Sequence, residues 1–117
     1  MRFLVLSFFS LLLASCVNDT SIKQDELTGK WIVMEALRNN KKTNTLEGAF
    51  FYFDQHVLTT NFMGGENQAG YQLTKNVLQL TKGMDYTFHL ERTPEQGVIV
   101  MKTKIQKTEF LFKLKKE

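Results

Sequence analysis

The chain reads as an all-β protein: an eight-stranded antiparallel up-and-down barrel. Three observations lead there. Beyond residue 24 no segment keeps helical periodicity for more than about two turns. Short runs alternate apolar and polar residues, and each run is closed by Gly, Asn, Asp or Pro. The connections between runs are too short for crossover helices, so neighbours in sequence pair as neighbours in space, and curling such a meander shut removes exposed edges. A sandwich of two four-stranded sheets is the alternative.

The eight strands are expected near 30–37, 48–53, 56–62, 68–73, 76–81, 84–91, 97–103 and 107–114. The first has Trp31, Val33, Glu35 and Leu37 on one parity, which points Glu35 inward toward Arg38 or Arg92 if it is not a strand-end ion pair. The second, Ala49 to Phe53, is apolar on both faces, so Phe50 and Tyr52 are expected under a lid or on a covered face. In the sixth, Met84, Tyr86, Phe88 and Leu90 oppose Asp85, Thr87, His89 and Glu91, so one face is wet. The eighth sets Phe110, Phe112 and Leu114 against Glu109, Lys113 and Lys115, with Leu111 an apolar exception on the wet face. The turns fall at Asp54-Gln55, at Met63 to Asn67 with Gly64-Gly65, at Thr74 to Asn76, at Lys82-Gly83, and at Thr93 to Gly97 around the single proline.

Length and composition bound the rest. The 117 residues leave room for one domain with a modest core, and ten phenylalanines, three tyrosines and a tryptophan argue against a disordered chain. The net charge of +3 is too slight to indicate nucleic acid. A lone cysteine permits no intramolecular disulfide, so the core must hold the fold together.

The N-terminus has a different character. Arg2 precedes an apolar run from Phe3 to Leu13, shorter than the ~20 residues needed to span a bilayer, and polar residues follow. This is the form of an export signal over 1–15. The junction Leu13-Ala14-Ser15-Cys16 resembles the lipobox of bacterial lipoprotein signal peptides. The resemblance implies that Cys16 is cleaved free, takes diacylglycerol and is acylated, which anchors the protein to a membrane, since each buried CH₂ contributes about 0.8 kcal/mol. Residues 16–24 are then the lipidated cysteine and a short polar tether, and 25–117 the barrel. Val17 and Asn18 carry no acidic pair that would mark retention at the inner membrane, so the outer membrane facing the periplasm is the expected location, with surface display the alternative.

Asp25 to Thr28 reads as a short helical turn leading to Gly29-Lys30-Trp31 at the start of the first strand, which resembles the Gly-x-Trp opening of lipocalins, and Met84-Asp85-Tyr86 partly echoes their Thr-Asp-Tyr motif. In a lipoprotein of this size the pattern is similar to the small lipocalin-like domains of Gram-negative bacterial lipoproteins. It implies structural roles for Gly29, where the backbone enters the barrel closely, and for Trp31, which closes one end with about 200 Å² of burial and requires a partner for its N–H.

No catalytic or metal constellation is expected. His56 and His89 lack ligand spacing, the methionines Met34, Met63, Met84 and Met101 read as packing residues, and no serine sits in a nucleophile elbow. No cofactor is expected either. The aromatic surplus instead suggests a binding module for a small apolar ligand or a peptide at the open end. Among the aromatic positions available to line or cap a cavity, which include Phe50, Tyr52 and Phe62, the candidate contacts are Phe51, Phe53, Tyr71, Tyr86, Phe88, Phe110 and Phe112. A barrel of eight short strands is narrow enough for side chains to fill. That supports the alternative of a filled barrel that meets another envelope protein through the loops Asn39 to Glu47 and Met63 to Ala69.

Overall fold

A computed structural model describes residues 20–117, so the expected export signal and its Cys16 lie outside the described residues. A single-turn helix, α1 (Gln24–Leu27), precedes nine strands: β1 (Gly29–Arg38), β2 (Lys41–Lys42), β3 (Phe50–Phe53), β4 (Val57–Thr60), β5 (Asn67–Thr74), β6 (Val77–Leu80), β7 (Thr87–Arg92), β8 (Val98–Ile105) and β9 (Thr108–Lys116). Every pairing is antiparallel and follows chain order, and β9 returns to β1 from Trp31↔Lys116 to Arg38↔Phe110. Eight strands thus form a closed barrel, while β2 extends β1 as a two-residue hairpin arm through Arg38↔Lys41.

Period-2 alternation puts one parity inside on most strands. β3 buries Phe51 and Phe53, β7 Phe88 and Leu90, and β9 Phe112 and Leu114. Aromatic rings occupy the interior: Phe51 lies 6.5 Å from Phe53, 6.1 Å from Phe88 and 5.5 Å from Phe112. The last ring is Phe62, carried not by a strand but by the β4–β5 loop, which stacks on Phe51 at 5.3 Å and meets Phe112 edge-on at 5.6 Å. It plugs the barrel from the end at which β1 finishes, called the open end here.

The opposite end is closed by α1 and Trp31. Trp31 is 1% exposed, and its Nε1–H donates to the Leu27 carbonyl at 2.8 Å, which supplies the partner an indole requires when buried. Gly29 enters β1 at φ +132°, a conformation that disfavours a side chain, and a Cβ there would lie 2.9 Å from Lys116 Cε. Ahead of α1, Ile22 is 2% exposed and its N–H donates to Asn76 Oδ1 at 2.7 Å. Arg92 donates to the Thr20 and Ser21 carbonyls at 2.7 and 3.1 Å, and its guanidinium grips both oxygens of Glu26.

Residues 20–24, expected in the polar tether, therefore belong to the folded body. Their composition hid the single apolar residue that matters, Ile22.

The Glu26 carboxyl is held below its ordinary value, chiefly by the hydrogen bonds from Arg92, against the opposing effect of burial. A carboxyl depressed in the folded state adds stability above its unfolded pKa, and that stability is lost as pH falls through the folded one. Glu26→Gln should flatten the acid side of the stability profile, read as the urea midpoint against pH. Both side chains are more than a third exposed, so screening keeps the effect below about 1 kcal/mol.

Of the two readings of Glu35 the ion pair holds and the inward one does not, and the covered face expected for Tyr52 is corrected. A β-bulge between Val33 and Glu35 shifts the parity of β1, so Ala36 replaces Glu35 on the inner face. Glu35 is half-exposed and pairs with Lys42 at 3.7 Å on the outer face. Tyr52 is covered by no lid: it is 47% exposed, and its neighbour Phe50 is half-buried with the Lys30 ammonium 5.2 Å above its ring. The sixth expected strand also begins late, at Thr87, because 84–86 belong to the loop above it.

Candidate functional site

The seven candidate aromatic residues separate into three groups. Phe51, Phe53, Phe88 and Phe112 are fully buried and fill the barrel against one another. Tyr71 stands at the closed end, where its hydroxyl donates to the Asp54 carbonyl and accepts from Gln24 Nε2 at 2.7 Å. Burial raises its pKa, and the bonds tie β5 to the β3–β4 turn and to α1, which is a structural role. Tyr86 and Phe110 alone are half-buried at the open end, and both line a cleft of about 600 Å³.

The cleft arises from unequal strand lengths. The ladder between β7 and β8 reaches His89↔Lys102 and stops, although β8 continues to Ile105. Beyond that point the Thr103 hydroxyl donates to the Thr87 carbonyl at 2.7 Å, a side-chain bond where a backbone pair would otherwise stand. The wall parts there, between the 81–86 loop and the β8–β9 hairpin. Phe110 and Tyr86 form the inner floor, and Leu37 and Leu111, cross-strand partners on the outer wall, extend it.

This floor is continuous with the core. Phe110 stacks on Phe112 at 5.9 Å with planes 4° apart, and Tyr86 meets the plug Phe62 edge-on at 6.5 Å. The Arg38 guanidinium lies 5.4 Å from the Phe110 ring centre, which fixes that ring from its rim side. Around the floor stand Asp85 and Glu109, Lys102 and Lys104, and His89. Lys102 is engaged by Glu91 at 3.0 Å. An apolar floor with both signs of charge at its rim suits a flat or chain-like apolar group that carries polar substituents.

Leu37 and Leu111 were not among the candidates. Leu111 did leave a signal, as the apolar exception on the wet face of its strand. Leu37 was hidden by the bulge, which reversed its assigned face. A second hollow of about 340 Å³ lies at the closed end beside Trp31, Arg92 and Pro94; of its charged groups, Glu26, Arg92 and Lys116 already bind the N-terminal segment or each other, and Glu95 stands on the exposed 93–97 turn. Among the described residues there is no group of three or more His, Cys, Asp or Glu side chains placed to hold a metal ion, and no helix long and apolar enough to cross a membrane. His56 and His89 are both exposed.

No family model matches the chain, and comparison with curated proteins and with solved structures returns no significant similarity.

Proposed function

We propose that the protein is a membrane-tethered binding module that holds its ligand in the open-end cleft of a filled, lipocalin-like barrel. The observation that carries this reading is the cleft itself, where the half-buried Phe110 and Tyr86 bring the aromatic cluster to a part that water reaches. The ligand class is a small apolar molecule, or an apolar side chain of a peptide, lying against Phe110 and Tyr86 with its polar part toward Lys104 and Glu109. The tether comes from the sequence, through the lipobox ending at Cys16.

Two-dimensional NMR titration with fatty acids, hydrophobic dyes and aromatic-containing peptides tests it. Binding should shift the amides of Thr87, Lys104 and Leu111 and leave Trp31 emission unchanged, because that indole is buried at the far end. Phe110→Ala should weaken affinity about tenfold, the loss of roughly 1.4 kcal/mol of ring contact. Shifts centred on Leu58 and Met101 would mean an internal calyx instead.

No shift with any ligand would favour the second reading, a protein-protein module. That reading has its own observation: Met63, 46% exposed in the loop behind the plug, lies at the same end. Crosslinking in cells from Met63 should then recover a defined envelope neighbour.

A further inference from the structure

We infer that the barrel stands on its closed end, with the α1 face against the headgroups of the anchoring membrane and the cleft turned away from it. This rests on lipidation of Cys16 and deepens the reading above. Its geometric basis is the docking of the N-terminal segment. Thr20 and Ser21 are held by Arg92, Ile22 is buried, and Ile22 N–H is bonded to Asn76, so the polypeptide leaves the body at the closed end and is not free to pay out. Cys16 and Thr20 are four residues apart. Four extended residues span at most about 14 Å, whatever their conformation.

The closed end suits a hydrated surface. Its turns present Asp54, Gln55, His56, Lys75, Pro94 and Gln96, all exposed, and acidic and basic groups are mixed there. Such a face rests among lipid headgroups without inserting. β8 runs from this end to the cleft over eight residues, which at about 3.3 Å per residue and a tilt of about 40° lifts the cleft roughly 20 Å further out. The ligand therefore arrives from the aqueous side or from a facing surface; it is not drawn out of the bilayer that holds the protein.

The test uses the full acylated chain in vesicles that carry a nitroxide on their headgroups. With Cys16 acylated, the Gln96→Cys variant (closed end) or the Lys107→Cys variant (open end) takes a single dye. The Gln96 dye should be quenched at least about threefold more than the Lys107 dye, given a separation of about one barrel length. Inserting a long Gly/Ser segment between Asn18 and Asp19 should abolish the difference. Equal or reversed quenching in protein whose Cys16 is acylated by mass spectrometry would overturn the orientation alone. Unmodified Cys16 and loss of vesicle binding would remove the anchor, and this inference with it.

Discussion

Phe62→Ala should lower stability by about 3–5 kcal/mol and open a dry cavity that takes up a small aromatic molecule. The ring is 5% exposed, although it comes from a loop, and it packs within 6.0 Å of Phe51, Phe88 and Phe112. Whether the void persists depends on whether the loop can collapse into it. Asn61 Oδ1 accepts from the Phe50 N–H at 2.9 Å and Thr60 donates to the Phe50 carbonyl at 2.7 Å, which fixes the chain just before the plug, and the Gly64 N–H closes the turn after it on the Asn61 carbonyl at 3.2 Å. Urea unfolding followed by Trp31 emission gives the cost, and a benzene-dependent rise in Tm reports the cavity. A loss under about 1 kcal/mol with no benzene effect would mean the loop moves in to fill the gap.

Trp31 should show an effect of the same size by a different route. Trp31→Ala is expected to cost about 3–5 kcal/mol, since the indole is the largest fully buried side chain and joins α1 to the barrel wall. Trp31→Phe separates the contributions. It keeps most of the apolar area but removes the donor to the Leu27 carbonyl, and should cost about 1–3 kcal/mol. Lys116 adds a contact over the ring, its ammonium 5.5 Å from the ring centre and donating to the Glu26 carbonyl at 2.7 Å. Denaturation midpoints of both variants check the ranking, and equal losses would show that the hydrogen bond carries most of the energy.

The strands were legible because turn chemistry and alternation are local. Lys75 and Asn76 take positive φ between β5 and β6, as an Asn-containing two-residue turn requires, and Gly64, Gly65 and Gly83 do so in the loops. What stayed hidden is set by tertiary contact. A bulge adds one residue without changing composition, so the reversal after Val33 could not be read, and it misplaced both Glu35 and Leu37. Phe62 looked like any aromatic at a strand end. The grip of Arg92 on Thr20, Ser21 and Glu26 joins residues about 70 positions apart, and no local pattern encodes it. Of the site, Tyr86 and Phe110 could be named from composition, but their separation from the buried phenylalanines depends on where β7 stops pairing with β8.

The seam between β1 and β9 bears on the order of folding. Each other strand of the barrel after β1 can pair with its predecessor as soon as it emerges, whereas β1 must wait for residues about 80 positions later before its second edge is covered. A chain made or threaded from its N-terminus thus holds an unclosed sheet, with the Trp31 edge bare, until its last strand is free. Loop-closure entropy is then paid at the end, which places folding among slow, topology-limited domains, in milliseconds to seconds. During that interval the open edges of β1 and the growing sheet are the places where two copies would stick together, and a holding chaperone would have its best target there.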